Sequence, residues 1–146
     1  SKSRSRFYNK VLDKLSDARL NNTVNSEFID NLYDFSEYKL EDYIMRRSMN
    51  RGYDEYKSDT DLMVNLMNQG IVMGMQPTEG TTYFYARCKE GFVLKESINN
   101  IDAIDMRYYW DVVSNLLIKF GLKEYVKRKP PLTMLDKKQK SLAEWI

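Results

Sequence analysis

The tripeptide Glu-Tyr-Lys occurs twice, as Glu37-Tyr38-Lys39 and as Glu55-Tyr56-Lys57, each with an aspartate just upstream, Asp34 and Asp54. An acid-x-Lys strand with an earlier aspartate is how many metal-dependent nucleases hold Mg²⁺ and orient the attacking water, because hard oxygen ligands suit that ion. Such a motif rides on an apolar strand. Here the first copy falls inside a helical pattern and the second in a polar stretch, so both read as surface ion pairs. The chain has no histidine, which removes the commonest general base and the commonest metal ligand. Its single cysteine, Cys88, has no internal disulfide partner, and with no histidine beside it zinc sites of the usual kind are excluded. The six glycines are scattered, and the stretch 70–74 lacks the lysine and helix of a phosphate-binding loop. The expectation is a protein that is not an enzyme and uses no cofactor, metal or small-molecule substrate.

Charge supplies the second set of candidates. Net charge is only +2, but residues 1–10 together with 123–146 hold 11 of the 23 basic residues and 3 of the 21 acidic ones. An acidic body with basic ends makes Lys2, Arg4 and Arg6, with Lys127, Arg128 and Lys129, the candidate contacts to nucleic-acid phosphate. Arg46, Arg47 and Arg51 crowd the end of a helical pattern, where the dipole favours cations, and join the same candidate set.

The sharpest pattern is Gln139-Lys140-Ser141-Leu142-Ala143-Glu144-Trp145-Ile146, which fits Q-x-x-L-x-x-aromatic-apolar. It resembles the PCNA-interacting peptide box found at the extreme C-terminus of many clamp-binding replication and repair proteins. The resemblance covers these residues alone, with Ile146 where a second aromatic is usual. It implies that Gln139 would enter a small polar pocket on a sliding clamp while Leu142, Trp145 and Ile146 plug a hydrophobic one.

These candidates need a body to hold them. The longest apolar-periodic run, 101–121, places Met106, Tyr109, Trp110, Val113, Leu117 and Phe120 on one helix face, widened by Val112 and Leu116. Asn100 or Asp102 can cap it, and Gly121 stands where a left-handed C-terminal residue belongs. Upstream, a helix from Ser3 or Ser5 to about Leu20 presents Tyr8, Val11, Leu12, Leu15 and Ala18. A second starts near Asn25-Ser26 with Phe28, Ile29, Leu32 and Phe35, either kinks or restarts at Ser36, and then presents Leu40, Tyr43, Ile44 and Met49 before stopping ahead of Gly52. Ser58 and Asp61 open a short helix carrying Leu62, Met63, Leu66 and Met67 to Gly70. The period then changes: 71–76, 81–89 and 92–97 read as an antiparallel meander with Phe84, Ala86 and Cys88 on one face of its middle strand and Tyr83, Tyr85 and Arg87 on the other. One face should pack on the long helix.

The expected fold is therefore α+β and mostly helical, with four to five helices and a small three-stranded meander around a central C-terminal helix. Residues 1–129 read as one globular domain with a basic N-terminal end, and 130–146, after Pro130-Pro131, as a C-terminal arm or peptide-docking tail. No apolar run approaches the ~20 residues of a membrane span, and no hydrophobic region follows the first ten residues. A cytoplasmic or virion location is expected, neither secreted nor membrane-bound. Polar, basic ends and an Asn-, Tyr- and Met-rich composition point to a structural or assembly subunit of a multi-protein particle, most concretely a phage virion component, with neighbouring subunits as partners. The alternative is a replication or transcription accessory factor that binds DNA or polymerase through its basic ends and a sliding clamp through 139–146.

Overall fold

The computed structural model describes residues 4–56 and 62–131. Among them, five α-helices and one antiparallel sheet make an α+β fold: α1 (Arg6–Leu20), α2 (Ser26–Leu32), β1 (Met45–Ser48), α3 (Tyr53–Tyr56), α4 (Leu62–Val72), β2 (Thr82–Cys88), β3 (Gly91–Leu94) and α5 (Met106–Lys119). The described residues fall into two compact units. One takes in Lys39–Ile104 and the chain up to Arg6, and the other takes in Phe7–Tyr38 and the chain from Asp105 onward.

The second unit is helical. α1 buries Phe7, Val11, Leu15 and Ala18, so its apolar face is centred on Phe7 and leaves the expected Tyr8 and Leu12 half-buried. The Phe7 ring meets Tyr38 edge-on at 4.7 Å, Phe35 at 5.1 Å and Tyr109 at 5.2 Å, the geometry that aromatic quadrupoles favour. α2 starts as expected, its N-cap Asn25 side chain accepting the Phe28 N–H at 2.8 Å. α5 is the organising helix of this unit and buries Tyr109, Val113, Ser114, Leu116 and Leu117. Its start differs from the expectation. Asn100 caps only a 3₁₀ turn, Ile101–Ala103, and the α-helix begins after Asp105, whose carboxylate accepts the N–H groups of Arg107 and Tyr108. Gly121 ends it at φ 74°, with its own N–H on Ile118 O and the Leu122 N–H on Leu117 O, a Schellman closure.

The first unit holds the sheet, in the order β1-β2-β3. Two corrections apply. Residues 36–52 do not continue a helix: a 3₁₀ turn, Leu40–Tyr43, leads into β1, which pairs with β2 from Met45↔Tyr85 to Ser48↔Thr82. A 3₁₀ turn and an α-helix share the i, i+3 repeat of Leu40 and Tyr43, and the strand pairing then overrides local propensity. Conversely, 71–76 is not a strand. Ile71 and Val72 close α4, and Gly74 (φ 83°) ends it with the Met75 N–H on Gly70 O. The sheet is therefore a β2–β3 hairpin plus a β1 that reaches β2 by way of α3 and α4.

The faces of β2 alternate as expected. Tyr83 and Tyr85 point into a core with Met49, Tyr56, Met63, Leu66, Met67 and Leu94. The helix packed on that face is α4. Gly70 allows the approach, since a Cβ there would lie 3.1 Å from Tyr83 Cε1. Gln69 on α4 reaches the outer edge of β3: its Nε2 donates to Phe92 O at 2.8 Å and to Asn65 Oδ1 at 2.9 Å, and its Oε1 accepts the Leu94 N–H at 3.0 Å.

Leu117 is fully buried, so Leu117→Ala should cost about 2–5 kcal/mol through lost transfer and cavity terms, read as a lowered midpoint in thermal melting. Gln69→Ala strands the outward groups of β3 and should cost about 1–3 kcal/mol. Hydrogen exchange at the Leu94 amide should accelerate with it.

Candidate functional site

Residues 122–130 follow α5 and are held at several points on the helical unit. Their anchor is Tyr33, the C-cap of α2, which is only 7% exposed. Its hydroxyl shares a 2.8 Å hydrogen bond with Ser114 Oγ of α5 and accepts the Lys127 N–H at 3.2 Å. The carbonyl of Lys127 accepts the Trp110 indole N–H at 3.0 Å. Both polar groups of one residue's main chain are thus taken by aromatic side chains, whose rings lie 4.3 Å apart and tilted by 38°. Around this centre the Lys127 ammonium pairs with Asp30, Lys129 pairs with Asp111 at 2.7 Å, and an Arg107 guanidinium N–H donates to Pro130 O. The ion pairs are half exposed and each contributes about 0–1 kcal/mol, so the neutral bonds to Tyr33 and Trp110 set the position.

This changes the reading of the C-terminal cations. Lys127 and Lys129 are matched by carboxylates of the body, and of the three only Arg128 carries no ion pair with a described residue while standing exposed. Arg4 and Arg6 are exposed at the entry to α1. Arg46 and Arg47 lie on β1, not at a helix terminus, so the dipole account of that cluster is replaced by a strand edge. Arg51 follows the strand and stacks its guanidinium over Tyr56 at 4.2 Å. The arginines 46, 47 and 51 therefore belong to the sheet unit and Lys127, Arg128 and Lys129 to the helical one. Lys2 lies outside the described residues, as do Gln139, Leu142, Trp145 and Ile146.

The described charged residues of the two acid-x-Lys motifs stand exposed. Asp34 accepts the Ser36 N–H in a turn at 3.0 Å, Glu37 and Lys39 are exposed, and Asp54 and Glu55 are exposed on α3; Lys57 lies outside the described residues. Among the described residues no group of three or more Cys, Asp or Glu side chains could hold a metal ion. Cys88 is buried. Burial also raises the pKa of the Tyr83 hydroxyl above its ordinary 10.0, keeping it a neutral donor, here to the Met49 sulfur at 3.8 Å. No helix among the described residues is long and apolar enough to cross a membrane.

Sequence reasoning placed Trp110 in the core and passed over Tyr33, Asp30, Arg107, Asp111 and Ser114. One signal was there: Ser114 lies one turn beyond Trp110, on a face otherwise apolar, and a buried hydroxyl needs a partner. Tyr33→Phe removes the link to both Ser114 and Lys127. It should lower stability by roughly 1–2 kcal/mol and speed tryptic cleavage at Lys127 and Arg128 several-fold, measured by thermal melting and timed proteolysis.

Comparison with protein-family models and with curated protein sequences gives no match to this chain.

Proposed function

We propose that the chain is a non-enzymatic assembly subunit of a multi-protein particle, a phage virion component being the most concrete form. It engages a neighbour through residues 132–146, from a root held on its helical unit. One observation carries this reading: the main-chain N–H and C=O of Lys127 are both bound by the Tyr33–Trp110 pair, with Lys129 and Pro130 secured just beyond. A chain whose root is fixed in place and direction loses less entropy when its continuation docks. Leu142, Trp145 and Ile146 are the large apolar side chains that such docking uses as anchors. The same residues with Gln139 serve the rival reading, an accessory factor of replication or transcription held on a sliding clamp.

Deleting residues 141–146 should leave the melting midpoint unchanged and abolish partner association. Trp145→Ala alone should weaken association about thirtyfold, equivalent to ~2 kcal/mol. An isolated peptide of residues 137–146 that binds a sliding clamp as tightly as the whole chain would favour the clamp reading. A requirement for the folded chain, with incorporation into particles lost on truncation, supports the assembly reading. A truncated chain that cannot fold would sink both.

A further inference from the structure

The segment that follows α5 is fixed at two points and thin between them. At the first, Arg19 stacks over the Phe120 ring at 4.6 Å and donates to the Phe120 carbonyl. At the second, Lys127, Lys129 and Pro130 meet a cradle on the helical unit, made by the Tyr33 hydroxyl, the Trp110 indole N–H, the carboxylates of Asp30 and Asp111 and the Arg107 guanidinium. Residues 121–126 join the two points through a glycine at φ 74° and a single 3₁₀ turn, Lys123–Tyr125. No side chain from 118 to 131 is buried. The cradle therefore holds its occupant by hydrogen bonds and ion pairs, and the occupant can leave without opening the core between the helices.

We propose that this cradle is a binding site for the segment Lys127–Pro130 of a second copy of the chain, so that subunits exchange these segments on assembly. The proposal rests on the assembly reading and names the neighbour. The segment suits transfer between chains because it is extended before it docks: Val126 has φ −62° and ψ 127°, close to polyproline II, and Lys129 and Pro130 each precede a proline, which biases both the same way. A preformed strand of this kind loses little entropy on binding. Identity supplies the rest of the argument. A second copy offers the same two main-chain groups, the same lysines and the same proline, so every contact given up in one chain is regained in the other. What separates the two forms is the linker 121–126, which gives each cradle its own segment at an effective concentration on the order of millimolar. Copies packed side by side in a particle reach that range. In either form residues 132–146 start from a root held at Lys127.

The test uses whole chains, one carrying Asp30→Cys and a size tag, the other Lys127→Cys; the native Cys88 is buried. Mixed at about 1 mM and treated with a short bismaleimide, they should give a heterodimer band well above either chain's homodimer band. Tyr33→Phe in the first chain should reduce that band about fivefold. Deleting residues 141–146 should leave it unchanged, which separates exchange from docking of the tail. A chain lacking residues 123–125 loses about 6 Å of linker and should be a dimer at micromolar concentration. If that chain misfolds, the mixing result decides alone. Absence of a heterodimer band across a concentration series, or a band indifferent to both Tyr33→Phe and Trp110→Phe, would overturn the proposal. So would a folded 123–125 deletion that stays monomeric while trypsin cuts it rapidly at Arg128. The assembly reading then keeps its own test, because loss of partner association on removing 141–146 does not depend on exchange.

Discussion

One phenol oxygen ties together three separate pieces of the helical unit. The Tyr33 hydroxyl joins the end of α2, the middle of α5 and the segment that follows α5, in surroundings that leave the residue 7% exposed. A hydroxyl so placed is costly to leave without partners, so each of the three pieces constrains the other two. The rings around it reinforce the arrangement: Trp110 lies against Tyr33 at 4.3 Å and near Phe35 at 6.2 Å, and Phe7 takes Phe35, Tyr38 and Tyr109 edge-on. The aromatic stripe of α5 therefore supplies both core volume and, through the one indole N–H, the position of the main chain at Lys127.

The sheet unit solves a different problem. Its core draws on Met49, Met63 and Met67 packed with Tyr56, Tyr83 and Tyr85, where unbranched thioethers fill the uneven space beneath tyrosine rings. Close approach is possible because Gly70 presents no side chain to Tyr83. The edge groups of β3 are then within reach of Gln69, one residue earlier on the same helix.

Much of this was readable from residue order, and the failures have physical causes. α1, α2, the α5 face, the hairpin and the glycine stop at Gly121 follow from periodicity and turn chemistry. The run Asn100–Asp105 offers three residues able to cap, and only the bridge of Cys88 to Ile104, which holds the chain extended there, decides for Asp105. β1 was hidden because four residues with two arginines do not look like a strand until β2 supplies a partner. Ile71 and Val72 are β-branched yet helical, since α4 already buries Met63, Leu66 and Met67 on the sheet. The candidate site was legible only in part. The basic character of 127–129 is plain in the sequence, but the carboxylates that meet Lys127 and Lys129 come from Asp30 and Asp111, and no local pattern relates those positions.

The Gln69 contact also makes the sheet sensitive to a change of a single atom. Its amide nitrogen faces two acceptors, Phe92 O and Asn65 Oδ1, while its oxygen faces a donor, the Leu94 N–H. Hydrolysis of that amide to a carboxylate would keep size and shape but turn an acceptor toward both oxygens, converting attraction at the β3 edge into repulsion. Asparagine, one methylene shorter, would fall short of the strand. The edge is thus closed by a side chain whose chemical ageing would reopen it, so slow deamidation at one position would expose the edge of β3 in an otherwise intact fold.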